Sequence, residues 1–197
     1  MNRLILAELD RRRWNQKYAG KASPSTRPPD NWLCQAVTVL KPGRALDLAC
    51  GLGHNAIWLG QQGWRVDAVD ISEVGLSLAT QAATAVGCST INWIVADLDS
   101  YVPEPSTYDL ITVFRFLDRE QLPSRIEAAL RAGGTLVYET FTQQQLTRAD
   151  NHLQSDRFTL SPGELPRLFP NLIIEQFEEV DLSDRSVARL VARRPSK

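Results

Sequence analysis

The chain has 197 residues, 22 basic and 23 acidic, for a formal net charge of −1. With 43% hydrophobic and 23% charged residues, it matches ordinary soluble globular proteins and offers no general attraction for a polyanion. No apolar run reaches transmembrane length and no signal-peptide order opens the chain. The cysteines Cys34, Cys50 and Cys88 show no metal-ligand spacing, so free thiols, no bound metal and a cytoplasmic location are expected.

In chain order, Leu4 to Tyr18 has helical spacing, with Leu6, Leu9, Arg13 and the Trp14/Tyr18 pair in register. Its Arg11-Arg12-Arg13 run reads as a solvated face. Ser23 to Pro29 is a proline-rich loop, and Asp30 is placed to cap a second helix carrying Leu33, Val37 and Leu40. Ala45 to Ala49 reads as a short buried strand, Gly51-Leu52-Gly53 as a tight turn and Asn55 to Gln62 as a helix. Trp64 to Asp70 is a second strand, followed by a helix over 72–86. Ile91 to Ala96 is a third, and the apolar Tyr108 to Phe114 a fourth that belongs at the sheet centre. Arg119 to Arg131 is helical, Ala132-Gly133-Gly134 turns, and Thr135 to Phe141 makes a fifth strand.

Gln143 to Asp156 is polar and irregular, a long insertion at the expected ligand edge. Ser161-Pro162-Gly163-Glu164 carries helix-start signals, with Ser161 at N-cap. Leu172 to Val180 and Val187 to Arg194 are strands whose short connection requires antiparallel pairing. The alternation predicts a Rossmann-like, doubly wound α/β fold. Its sheet is mostly parallel and seven-stranded, with an antiparallel C-terminal strand pair. One domain is expected, residues 1–42 forming helices that cover a ligand-binding core of 43–197.

The first strand-turn-helix aims backbone N–H groups at one point, which suits an anionic group on a ligand. Gly51-x-Gly53-x-x-Ala56 also satisfies a loose dinucleotide pattern. Asp47, just before the turn, would repel a pyrophosphate. It suits S-adenosylmethionine (SAM), which carries a carboxylate, an ammonium and a sulfonium but no phosphate. Asp70 closes the second strand where an acid bonds ribose hydroxyls. The alternative is that it caps the helix beginning near Ser72.

Asp47-x-Ala49-x-Gly51-x-Gly53 resembles the first motif of class I SAM-dependent methyltransferases. Further resemblance to the small tellurite-resistance (TehB-like) and thiopurine-type enzymes runs through nearly the whole chain. It is carried by Trp14-Asn15-Gln16-Lys17-Tyr18, by Ala45 to Leu59 and by Trp64-Arg65-Val66-x-Ala68-Val69-Asp70. Tyr138-Glu139-Thr140-Phe141 and Phe158-x-Leu160-x-Pro162-Gly163-Glu164-Leu165 add to it. Two departures are His54, where these proteins often carry Arg, and Phe114-Arg115-Phe116-Leu117 after the fourth strand.

The resemblance implies SAM as cofactor and S-adenosylhomocysteine as product. It places the cofactor against Asp47, Ala49, Cys50, Gly51, Gly53, Asn55, Asp70, Ile71, Asp97, Leu98, Phe114 and Arg115. Asp97 would accept from the adenine amino group, and the Leu98 N–H would meet the ring. Trp14 and Tyr18 are candidates to cover the ligand.

The chain lacks an [Asn/Asp]-Pro-Pro-[Tyr/Phe] motif, a cysteine after the fourth strand and a carboxylate pair suited to a metal. Transfer by proximity to an already nucleophilic acceptor remains. A small thiol, selenium or tellurium compound is expected, with no catalytic base assigned, no membrane and no nucleic-acid partner. Arg115, Arg148, His152 and Arg157 could orient an anionic acceptor. The alternatives are methylation of RNA or protein, a SAM-binding module without turnover, and an NAD(P)-linked oxidoreductase.

Overall fold

The structure, a computed structural model, describes residues 3–20, 27–151, 153 and 155–196. The chain divides into two compact units, residues 1–102 and 103–197. The first contains α1 (Arg3–Ala19), α2 (Asn31–Ala36), β1 (Arg44–Leu48), α3 (His54–Gln61), β2 (Arg65–Asp70), α4 (Glu73–Ala85) and β3 (Ile91–Val95). Its three strands pair in parallel, Ala45 to Leu48 lying beside Val66 to Val69, and Val66 to Asp70 beside Ile91 to Val95. Leu46, Leu48, Leu59, Trp64, Val69 and Leu76 are buried and form its core. Both neighbours of β2, β1 and β3, are therefore supplied by the expected strand-helix repeat.

The second unit contains β4 (Tyr108–Phe114), α5 (Leu122–Ala129), β5 (Leu130–Phe141), α6 (Glu164–Arg167), β6 (Ile173–Asp181) and β7 (Ser186–Arg193). β4 and β5 are parallel, while β7 is antiparallel to both β5 and β6. The strand order over the whole sheet is β3-β2-β1-β4-β5-β7-β6. β4 thus holds the centre, as its unbroken apolar sequence requires, and the antiparallel pair closes one side. Among the described residues, no helix is long and apolar enough to cross a membrane.

Several boundaries differ from expectation for identifiable reasons. The Asp118 carboxylate accepts from the N–H groups of Glu120, Gln121 and Leu122, so α5 begins only at Leu122. The expected turn Ala132-Gly133-Gly134 is instead an irregularity inside β5. Tyr108 pairs with Leu130 and Leu110 with Thr135, so the residues between leave the register with β4. Gly133 and Gly134 remain in the ladder because they exchange backbone bonds with Arg194 at 3.0 and 2.9 Å.

Asp30 stands at the N-cap of α2 but makes no side-chain cap bond there; its carboxylate accepts from Asn55. Ser161 is not the N-cap of α6, which Gly163 provides. Glu164 still reaches back to the Ser161 N–H at 2.8 Å, half of the capping arrangement. The expected loop over 23–29 falls mostly outside the described residues.

Gly53 shows how strictly this layout constrains sequence. Its φ is +72°, and a Cβ there would lie 2.5 Å from the Trp93 ring of β3. Gly53→Ala is expected to destabilise the protein by about 2–4 kcal/mol, combining left-handed strain with overpacking. Urea unfolding measures this, and a loss below about 1 kcal/mol would show that Trp93 moves aside freely.

Candidate functional site

β1 ends at Leu48, and three residues then adopt positive φ within five positions: Ala49 at +54°, Gly51 at +57° and Gly53 at +72°. Such a run reverses the chain tightly enough to place α3 directly behind the turn. Within it, Cys50 N–H bonds the Val69 carbonyl at 3.0 Å and Gly53 N–H the Cys50 carbonyl at 2.9 Å. The turn is therefore fastened to β2 as well as to itself.

Asp70, the last residue of β2, completes that fastening. One carboxylate oxygen accepts from the Gly51 N–H at 2.8 Å and the other from the Ser72 N–H at 2.9 Å. Ser72 in turn caps α4 by accepting from Gly75 at 3.0 Å. Asp70 thus takes part in the helix start, by holding the N–H of the cap residue Ser72 and not as the cap itself. Burial raises the Asp70 carboxyl above its ordinary range, opposed by the backbone bonds from Ser72, Gly51 and Ile71. Asp47 is also buried, in β1. Burial first, then the Asp47 and Asp70 charges, pushes the Cys50 thiol well up. That shift opposes formation of a Cys50 thiolate.

The N-terminal helix reaches the same place. Asn15 Oδ1 accepts from the Ser72 hydroxyl at 2.6 Å and from the Val74 N–H at 3.4 Å, while its amide donates to Glu73 at 3.3 Å. Trp14 and Tyr18 stack with ring centroids 5.6 Å apart. Tyr18 is close enough that a Cβ on Gly51 would meet its hydroxyl at 2.7 Å, and one on Gly75 its ring at 2.8 Å. The aromatic pair therefore packs together, and its Tyr18 lies against the turn at Gly51.

Asn55 has a structural duty. Its Oδ1 accepts from the Asp30 N–H at 2.9 Å and its amide donates to the Asp30 carboxylate at 3.3 Å. Asp97 accepts from the Asp99 N–H at 3.0 Å, and its carbonyl accepts from Ser100 and Tyr101, closing the turn after β3. Leu98 is buried and Ile71 half-buried.

In the second unit, Phe114 is buried at the end of β4 and Arg115 is exposed with φ +58°. Arg148 is committed to Asp150, Asp181 and the carbonyls of Leu182 and Ser183. Arg157 lies over the Phe158 ring at 4.4 Å. His152 falls outside the described residues.

Sequence reasoning missed Asn15 as a tie to α4, and missed Arg185 and Arg189 on the buried Glu139. These arginines donate to Glu139 at 3.0 and 2.8 Å from 46 and 50 positions away. Only the unusual acid inside an apolar strand, Tyr138-Glu139-Thr140-Phe141, offered a signal.

The donor set around the turn fits one kind of ligand. Two buried carboxylates flank it, and no lysine or arginine occurs from Asp47 to Trp64. That suits hydroxyls and a cationic group and opposes a pyrophosphate.

Comparison with known proteins agrees. Residues 45–134 match the family described as methyltransferase domain. The chain is 30% identical over 93 residues to ribosomal RNA small subunit methyltransferase C of Alcanivorax borkumensis, covering 47% of this chain and 28% of that protein. It is 30% identical over 95 residues to the probable S-adenosyl-L-methionine-dependent methyltransferase TehB of Haemophilus influenzae, covering 47% and 32%. The chain spans less than two thirds of the length of these curated relatives. The crystal structure of Haemophilus influenzae TehB superposes with a TM-score of 0.67 at 20% identity, over 93% of this chain and 66% of that one.

Asn55→Ala is expected to cost about 1–2 kcal/mol of stability through the two lost bonds to Asp30. Chemical denaturation checks this. Unchanged stability with weakened cofactor binding would move Asn55 from scaffold to ligand contact.

Proposed function

We propose that this chain, a class I SAM-dependent methyltransferase by domain and fold with SAM as its cofactor, transfers methyl groups to a small, soft, anionic nucleophile. The observation that carries the cofactor half is the left-handed glycine turn between two buried carboxylates, Asp47 and Asp70. When bound, SAM supplies an electrophilic methyl group on a sulfonium.

The chain's own residues bind and orient. Asp47 favours the ammonium, and Asp70, already aligned by two backbone N–H groups, accepts from ribose hydroxyls. Ala49, Cys50, Gly51 and Gly53 supply the cradle. Ile71, Asp97 and Leu98 receive the adenine, and Tyr18 with Trp14 covers the turn. Residues 1–42 thereby serve as a cover on the core of 43–197.

The acceptor half is supported by the resemblance to TehB-like enzymes and by chemistry. With no residue assigned as a base, transfer by proximity requires an acceptor that is already nucleophilic, such as a thiolate or a selenium or tellurium oxyanion. The likeness to a ribosomal RNA methyltransferase keeps RNA as the second reading. SAM labelled in its methyl group, added with the protein to a fractionated lysate, decides between them. Label in small molecules is expected, and label confined to RNA or protein would overturn the small-acceptor reading.

Asp70 gives a pH signature. Its carboxyl is raised in the folded protein, so it takes up a proton above the ordinary Asp range as pH falls. Ionised Asp70 therefore costs stability at neutral pH, and acid relieves that cost. Ribose binding has the opposite sign, because protonation removes an acceptor. Calorimetry should show S-adenosylhomocysteine affinity falling from pH 7.5 to 5, with Asp70→Asn weaker by about tenfold or more and flat over the same range. A parallel fall in the variant would place the titrating group elsewhere.

A further inference from the structure

We infer that Asn15 is a positioning residue that sets how long the cofactor stays bound, by latching α1 over the acid proposed to hold the ribose; this rests on the cofactor placement proposed above. The residues involved come from α1, the glycine turn, β2 and α4, all within the first unit. Asn15 acts through Ser72 and Tyr18 and not on the cofactor itself.

The latch is three bonds made by one side chain. Asn15 Oδ1 accepts from the Ser72 hydroxyl at 2.6 Å and from the Val74 N–H at 3.4 Å, and its amide donates to Glu73 at 3.3 Å. These partners are the N-cap and the first two residues of α4. A helix start offers N–H groups that have no partner inside the helix, so an acceptor from another element can be held there. Ser72 is fully buried, and it works in both directions. Its hydroxyl donates to Asn15 and accepts from the Gly75 N–H at 3.0 Å, while its own N–H donates to the Asp70 carboxylate at 2.9 Å. The other Asp70 oxygen accepts from the Gly51 N–H at 2.8 Å. One residue thus joins α1 to the acid and, through the acid, to the turn. Asparagine suits this corner because it accepts from two donors and donates to a carboxylate. An aspartate would set a second carboxylate against Glu73, and an alanine would remove all three bonds.

Asn15 and Tyr18 stand three positions apart and therefore share one face of α1. Trp14, Asn15 and Tyr18 are half-buried, while Gln16 and Lys17 between them are exposed. That face meets two glycines. A Cβ on Gly51 would lie 2.7 Å from the Tyr18 hydroxyl, and one on Gly75 would lie 2.8 Å from its ring and 3.3 Å from the Gly51 carbonyl. Gly75 sits in the first turn of α4, where alanine would favour the helix; the side chain it lacks is the room that Tyr18 occupies. Packing at Tyr18 and hydrogen bonds at Asn15 therefore hold one helix against one turn. The bonds are directional and fix α1 along α4, which the packing of a single ring does not. A cofactor seated on Gly51 and Asp70 lies under Tyr18 and departs as α1 lifts, so loss of the Asn15 bonds speeds departure.

Stopped-flow displacement of S-adenosylhomocysteine from wild type, Asn15→Ala and Gln16→Ala tests this. Asn15→Ala should release the ligand about tenfold faster, with association changed less than about threefold, and Gln16→Ala should match wild type. Bound S-adenosylhomocysteine should slow hydrogen exchange of the α1 amides in wild type and not in Asn15→Ala. The paired change Asn15→Asp with Glu73→Gln reverses donor and acceptor while keeping every bond, and should restore slow release. Release from Asn15→Ala within about twofold of wild type overturns the inference, whatever happens to stability. Release from the paired variant as fast as from Asn15→Ala overturns it as well. If wild type binds no S-adenosylhomocysteine, the cofactor placement falls too; binding with unchanged release sinks the latch alone.

Discussion

The two backbone hydrogen bonds accepted by the Asp70 carboxylate hold the candidate site in shape. One goes to Gly51 in the turn and one to Ser72 at the start of α4, so a single side chain ties β1's turn, β2 and α4 to a common point. Burying a carboxylate is costly, and the upward displacement of its pKa records that cost. The turn cannot relax around it, because Gly53 is held against Trp93 and Gly51 against Tyr18. α1 joins through Asn15 and Ser72. The order of dependence is thus carboxylate, turn, helix start, cover.

The second unit solves a similar problem differently. Glu139 has no exposed surface, and its carboxyl oxygens are held by guanidiniums instead of backbone N–H groups. A well-packed apolar row would stabilise β5 and β7 as well or better, since desolvating paired charges offsets most of their attraction. A carboxylate retained there at such cost is better explained by what it positions than by stability. The same comparison applies to Asp67, whose carboxylate accepts from Arg44 of β1 and from Asn92, its register partner on β3.

The sheet was legible because strand and helix periods alternate cleanly over residues 45–141 and because the glycine turn can take few conformations. β4 matched residue for residue, since an apolar run bounded by Asp and Arg signals leaves little freedom. Element ends were less legible. Asp118 delayed α5 by accepting three N–H groups, and β5 began early because Leu130 found a partner in Tyr108. Neither competing bond has a local pattern in sequence. For the site, Asp70 was legible by its spacing from Gly51. The partners of Glu139 were not, because a contact spanning 46 residues is set by hairpin register, which sequence patterns do not specify at that range.

The long segment after β5 is less free than its polar sequence suggests. Gln145 is buried and accepts from the Ser186 N–H at 2.9 Å, and Arg148 ties the segment to the β6–β7 connection. At the far end, Arg119 donates to Glu164 and to the carbonyls of Arg157 and Thr159. Thr142 and Leu160 then bridge in parallel, holding the two ends of the segment side by side. A hinge motion of the whole segment would have to break both arginine anchors together.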